Sequence, residues 1–160
     1  MPGVGFNHVS VGVRDMEASV RFYADLFGME KIPTPNFGFP VQWLRVGDLQ
    51  LHLFKQEEPG PPYHHFALSV DDFHGVFLKA KELGALDSAT YGHYIRELPG
   101  GCVQMYIRDP GGNLIEIDWP DVRTLDRSIV GEITRLEDAH PQSAENLRGT
   151  LFLQPARVPR

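Results

Sequence analysis

The sequence lacks the features that mark several large protein classes. It has a single cysteine, Cys102, which excludes an intrachain disulfide framework and fits a reducing compartment. No window holds an apolar run long enough to cross a bilayer, and the first residues show no basic-then-apolar leader pattern. The expectation is therefore a cytoplasmic chain with no membrane partner. Basic residues are in the minority, 15 Lys and Arg against 21 Asp and Glu, for a net charge of −6. A nucleic-acid binder needs a basic face, so that class of partner is not expected either. What is present is ordinary for a globular protein, with 42% hydrophobic and 22% charged residues. A chain of this length can bury a substantial core as one domain or two small modules. Seven histidines are the one compositional oddity, and their positions decide which of them matter.

The chain repeats its own grammar. NHVSVGVRDMEASVRFYADLFG in the first half and HHFALSVDDFHGVFLKAKELG in the second each open on a His at the head of an alternating strand, His8 and His65. An Asp follows seven positions on in each (Asp15, Asp72), suited to capping a helix N-terminus, and a Gly closes each segment (Gly28, Gly84), suited to the left-handed residue past a helix end. Between them Met16, Val20, Tyr23 and Phe27 form one helical stripe, and Phe73, Val76, Phe77, Ala80 and Leu83 another. Gly75 costs the second helix about 1 kcal/mol relative to Ala for no reason visible in the sequence. Strands are expected at 30–34, 41–46 and 49–55, then at 86–98 (broken near Gly92), 102–108 and 113–118, with turns at Gly47-Asp48 and Gly111-Gly112-Asn113. The fold class that follows is α+β, with a βαβββ module over 1–58, a second over 63–119, and a Pro-rich hinge at Pro59, Gly60, Pro61 and Pro62. A tail over 120–160 lies outside the repeat. Ile129, Ile133 and Leu136 predict an amphipathic helix over 125–138, and the apolar run Leu151–Leu153 is expected to pack on the body or on a second subunit.

Alternate strand residues face opposite sides of a sheet. The apolar parity (Val9 and Val11; Leu49, Leu51 and Leu53; Phe66, Leu68 and Val70; Ile115 and Ile117) is expected to cover the helices. The opposite parity carries His8, His52, His65 and Glu116, one from the first and last strand of each half. His64 adjoins His65 with the wrong parity and reads as non-ligating. Taken singly, each His would be a surface or structural residue and Glu116 a solvated strand glutamate. Their matching places in a repeat are what point to a metal. Two imidazoles and a carboxylate suit Fe, Mn, Ni, Zn or Co and leave coordination positions open for a substrate. His52 is the open case, either a fourth ligand or a group facing substrate. Gln104, Tyr106 and Arg108 share a face opposite Val103, Met105 and Ile107, which makes Gln104 and Tyr106 candidates to line the same site, with Trp43 in the first half. Arg108, before Asp109-Pro110, also reads as a turn residue. Cys102 has nothing near it in sequence that marks a nucleophile.

NHVSVGVRDMEASVRFYADLFGM, LQLHLF, HHFALSVDD and DPGGNLIEID resemble the vicinal-oxygen-chelate superfamily, the glyoxalase, bleomycin resistance protein and extradiol dioxygenase group, over residues 4–119. The resemblance implies paired βαβββ modules forming a cupped mixed sheet around a divalent metal held by His8, His65 and Glu116. It also implies a homodimer in which each site can be shared between chains. Bacterial glyoxalase I is similar at those three positions, with Glu116 as a base that moves a proton between adjacent carbons, but has Glu where this chain has His52. Extradiol Fe(II) dioxygenases are similar in ligand kind, with His52, His93 or Tyr106 available as general acids. Fosfomycin-type thiol transferases are similar too, with Ser10 in place of a Thr after the first ligand and Tyr106 on the substrate side. The resemblance thus implies a metal-dependent enzyme acting on a small molecule with two adjacent oxygens. The lyase/isomerase is the leading activity, dioxygenase or thiol transferase the alternatives, and a metal-free, bleomycin-like drug-binding protein the non-enzymatic one.

Overall fold

A computed structural model of the chain describes residues 5–58, 60–151 and 153. By compactness these fall into two units, one running through Phe66 and including Arg108–Asn113, the other holding Ala67–Ile107 and everything from Leu114. Pro59 of the expected hinge and Phe152 of the expected apolar run lie outside the described residues. No described helix is long and apolar enough to cross a membrane.

The first unit is built on β1 (His8–Val13), α1 (Met16–Phe27), β2 (Glu30–Ile32), β3 (Val41–Val46) and β4 (Leu49–Lys55). Its sheet has the order β1-β4-β3-β2, with β1 parallel to β4 and the remaining pairs antiparallel. Asp15 caps α1, accepting from the Ala18 N–H at 2.9 Å, and Gly28 closes it in the left-handed region at φ 63°. The buried face of α1 is Ser19, Phe22, Tyr23 and Leu26. Of the stripe expected from the sequence only Tyr23 lies in its centre, while Met16, Val20 and Phe27 flank it half-buried. Both sets have helical spacing, and packing against the fully buried Leu44, Leu51 and Leu53 selects the one that places Phe22 and Leu26 inward.

Strand β5 (His65–Ser69) begins with the last two residues of the first unit, and the second unit continues with α2 (Phe73–Glu82), β6 (Ile95–Glu97), β7 (Val103–Arg108, whose last residue is counted with the first unit) and β8 (Leu114–Trp119). Its sheet has the order β5-β8-β7-β6-β9, where β9 is Thr134–Arg135. Asp72 caps α2 by accepting from the Gly75 N–H at 2.8 Å, which accounts for Gly75. A Cβ there would come within 2.2 Å of the capping carboxylate. Leu83, expected on the buried stripe, lies past the helix end and is 49% exposed. Val103, Met105, Ile107, Ile115 and Ile117 are fully buried. Each contributes about 1.5–3 kcal/mol relative to an exposed position.

The tail corrects the expectation of one helix over 125–138. Asp126 caps a single turn, α3 (Arg127–Val130), the chain then pairs as β9 in parallel with β6, and α4 (Leu136–Ala139) is another single turn. Of the three stripe residues only Ile129 is fully buried. Gly131 and the β-branched Ile133 and Thr134 are weak helix formers. The edge of β6 offers unpaired backbone groups that a strand satisfies and a helix does not.

The string DPGGN has a defined task in the first unit. Asp109 Oδ1 accepts from the Asn113 N–H at 2.8 Å, and Asp109 Oδ2 accepts from the Tyr23 hydroxyl at 2.7 Å and from Asn113 Nδ2 at 2.8 Å. Asn113 Nδ2 also donates to the Gly12 carbonyl of β1 at 2.8 Å. The turn is thereby tied to both α1 and β1. Gly112 supplies φ 86°, a region open to Gly, whereas Gly111 supplies closeness, since a Cβ on it would lie 3.0 Å from the Gly12 carbonyl oxygen. Gly111→Ala is therefore expected to cost about 1–3 kcal/mol through overpacking against backbone. A urea midpoint equal to that of the parent would contradict this account of the turn.

Candidate functional site

The proposed ligands fall on two strand pairs. In the first unit the β1–β4 register sets His8 opposite Gln50 and Ser10 opposite His52, and the β3–β4 register sets Trp43 opposite His52. The result is a column of three rings. His52 stacks on Trp43 at 4.4 Å between centroids and 8° between planes, and on His8 at 4.3 Å and 14°. His52 is 7% exposed, and burial, with His8 beside it, lowers its pKa. Its Nε2 lies 2.8 Å from Gln50 Oε1, an atom that can only accept, so this nitrogen carries the proton. His8 is exposed and directs Nδ1 at the Asn7 side-chain oxygen. Ser10 is exposed on the same strand.

In the second sheet His65 heads the edge strand β5, and the neighbouring strand β8 carries Glu116. His65 Nδ1 donates to the Tyr63 carbonyl at 2.9 Å. Glu116 is 5% exposed and accepts from Gln104 Nε2 at 2.6 Å, while the Tyr106 hydroxyl donates to Gln104 Oε1 at 3.3 Å. Burial, reinforced by Glu116, pushes the Tyr106 phenol far above its usual value. Gln104 and Tyr106 therefore both meet Glu116. Two other expectations concern ordinary structural residues. Arg108 clamps the turn by donating to the carbonyls of Gly112 at 2.6 Å and Pro62 at 3.0 Å. His64 is exposed and its backbone N–H bonds the Pro61 carbonyl. Burial, with Asp118 and Asp121 nearby, raises the Cys102 thiol, the reverse of what an activated nucleophile needs.

Asp118 is the member that sequence reasoning passed over. It is 4% exposed, and burial together with Glu116 pushes its carboxyl up to about 7, Gln104 opposing. Burial beside another carboxyl favours the protonated form of Asp118. The signal was available, since Asp118 follows Glu116 at the same strand parity.

The donor chemistry fits a divalent metal. Both His8 and His65 bond an oxygen acceptor through Nδ1, which fixes the tautomer and leaves the Nε2 lone pair as the donor, the outer-shell arrangement typical of ligating histidines. Glu116 is held by Gln104 in the same way. Among the described residues no three His, Cys, Asp or Glu side chains are grouped to hold a metal ion.

The profile of the Glyoxalase/Bleomycin resistance protein/Dioxygenase superfamily matches residues 5–117. The chain belongs to this superfamily. Its two mixed sheets of four and five strands are those of the glyoxalase fold. Mouse mitochondrial methylmalonyl-CoA epimerase is 28% identical over 130 residues, 70% of this chain and 71% of that protein. An Arabidopsis thaliana protein named Glyoxylase I 4 is 30% identical over 143 residues, 81% of this chain and 78% of its own. The solved structure of the oxidase ChaP-H2 aligns with a TM-score of 0.58 at 28% identity, over 74% of this chain and 98% of that one. An epimerase, a glyoxalase and an oxidase thus share one superfamily frame with this chain.

Proposed function

We propose that this protein is a divalent-metal-dependent enzyme that moves a proton at a carbon next to a carbonyl, in the manner of a glyoxalase-I-like lyase or isomerase. The observation that carries this reading is the buried Glu116 carboxylate, held by Gln104 at 2.6 Å beside Tyr106 and Asp118. A carboxylate kept out of water and oriented by a neutral donor is suited to general-base work. The names of the similar proteins agree with it, since epimerisation and glyoxalase chemistry both involve a carbon-bound proton adjacent to a carbonyl.

In this reading His8, His65 and Glu116 hold the ion, with Fe, Mn, Ni, Zn and Co as candidates. The ion would supply Lewis-acid polarisation of a chelating substrate oxygen. Glu116 takes the proton, and Gln104 keeps its carboxylate aimed. The buried Tyr106 side chain limits water around it. His52, with Nε2 engaged by Gln50 and its ring between Trp43 and His8, acts as a platform beside the ligand His8 rather than as a fourth ligand. Ser10, on the same strand as His8, faces substrate. We place the chain in a cytoplasmic homodimer whose sites can draw on two chains.

The test is metal analysis of protein reloaded separately with each ion. It is followed by NMR detection of solvent deuterium entering methylmalonyl-CoA or the hemithioacetal of methylglyoxal and glutathione. Stoichiometric metal with metal-dependent exchange is expected. Less than about 0.2 metal per chain after repletion would replace the enzyme by a metal-free binding protein. The likeness to an oxidase favours one second reading, an Fe(II) dioxygenase, which oxygen uptake with a catechol in the Fe(II)-loaded protein would reveal.

A further inference from the structure

In the second unit the register of β6 against β7 sets Arg96 directly opposite Gln104. Directly opposed residues of an antiparallel pair lie on the same face, and Gln104 reaches the next strand to bond Glu116. Arg96, Gln104 and Glu116 therefore form a row across three neighbouring strands, on the face opposite the buried Val103, Met105 and Ile95. Two strand spacings separate the ends of the row, about 10 Å at the backbone. Arg96 Nε is buried with no hydrogen-bond partner, and among the described residues the guanidinium pairs with no carboxylate. The adjacent Glu97 is committed to Arg135 at 3.4 Å.

His93 adds a second, independent orphan. It is 7% exposed, its ring meets Tyr106 edge-on at 5.9 Å, and its Nδ1 is buried without a hydrogen-bond partner. Burial, and then the nearby Arg96 charge, lowers its pKa, with a Tyr91 backbone interaction opposing, which favours the neutral form of the ring. A half-buried guanidinium with no counter-charge and a buried imidazole with an unmet nitrogen are costly to keep without a partner. Together they fit a planar oxyanion, which Arg binds through two parallel N–H bonds.

We infer that Arg96 and His93 form a carboxylate subsite, so that the substrate is an organic acid whose carboxylate lies a few carbons from the end that meets Glu116. The inference rests on Glu116 as the reacting end but concerns a different set of residues. It is tested by calorimetric titration of the metal-loaded protein with malonate, succinate, glutarate and adipate, each beside its dimethyl ester. At least one diacid is expected to bind tenfold or more tighter than its ester. Arg96→Gln should reduce that preference to within twofold without changing metal content, and Arg96→Lys, which keeps the charge but loses the fork, should restore only part of it.

A parent protein that prefers no diacid by more than twofold overturns the inference, as does an Arg96→Gln protein that keeps the preference. Inorganic phosphate binding tenfold tighter than every diacid would overturn the carboxylate assignment in favour of phosphate. If the parent takes no metal, the same titration of the apo protein still reads the acid-over-ester preference and its loss in Arg96→Gln. That outcome retains the subsite while the metalloenzyme reading falls, and normal metal loading with no preference does the reverse.

Discussion

Replacing Glu116 with alanine is expected to leave the reloaded protein with less than about 0.2 metal per chain and to lower proton-exchange activity by about 10²–10⁴-fold. The two losses should come together because one carboxylate is asked to do two things. In the proposed site it is a ligand and would supply the anionic member of a two-imidazole set, without which affinity for a divalent ion falls steeply. As a base it receives the proton. Glu116→Gln should lose both as well, since the amide keeps the shape and the Gln104 neighbour but neither binds a cation as strongly nor accepts a proton. A Glu116→Ala protein with full metal occupancy would remove Glu116 from the ligand set and with it the site proposed here. Full occupancy with no activity would still show that the ion sits elsewhere.

Asp109→Ala is expected to destabilise the protein by about 3–5 kcal/mol, lowering Tm by on the order of 10 °C. The carboxylate accepts three hydrogen bonds, from the Tyr23 hydroxyl, the Asn113 N–H and Asn113 Nδ2. Removing it leaves these donors with no replacement acceptor, and the burial that pushes the Tyr23 phenol well up, ahead of the effect of Asp109, keeps water from substituting. Tyr23→Phe deletes one donor and leaves Asp109 with Asn113, so its cost should be about 1–2 kcal/mol. A Tm for Asp109→Ala within 2 °C of the parent, by scanning calorimetry, would show that the turn does not depend on this network.

The parts of the fold set by local chemistry were legible. Asp15 with Gly28, and Asp72 with Gly84, mark helix ends through backbone geometry that needs no partner. The strands at 41–46 and 49–55 have the bounds expected, because the alternation of Leu49, Leu51 and Leu53 and the tight turn at Gly47 fix both ends. Legibility failed where a distant element decided the outcome. The helical stripe over Met16, Val20 and Phe27 is as regular as the true face, and only the leucines packed against it distinguish them. The tail reads as a helix until the open edge of β6 is known. In the candidate site, strand parity singled out Gln104, Tyr106 and Glu116 and also put Asp118 on the face of Glu116, but the burial that makes Asp118 unusual comes from packing that parity does not show. Arg96 was invisible because its importance comes from standing opposite Gln104, a matter of register between strands. The same holds for the contact of His52 with Trp43.

That last contact gives the first unit a property beyond chemistry. Indole emission depends on what touches the ring, and Trp43 is stacked through His52 onto His8. The protein's other tryptophan, Trp119, is not part of that column and bonds Thr124 through Nε1 at 2.8 Å. The molecule thus carries its own dye. A charge arriving at His8 is expected to change the emission of Trp43, so ligation at this end of the column can be watched without a label.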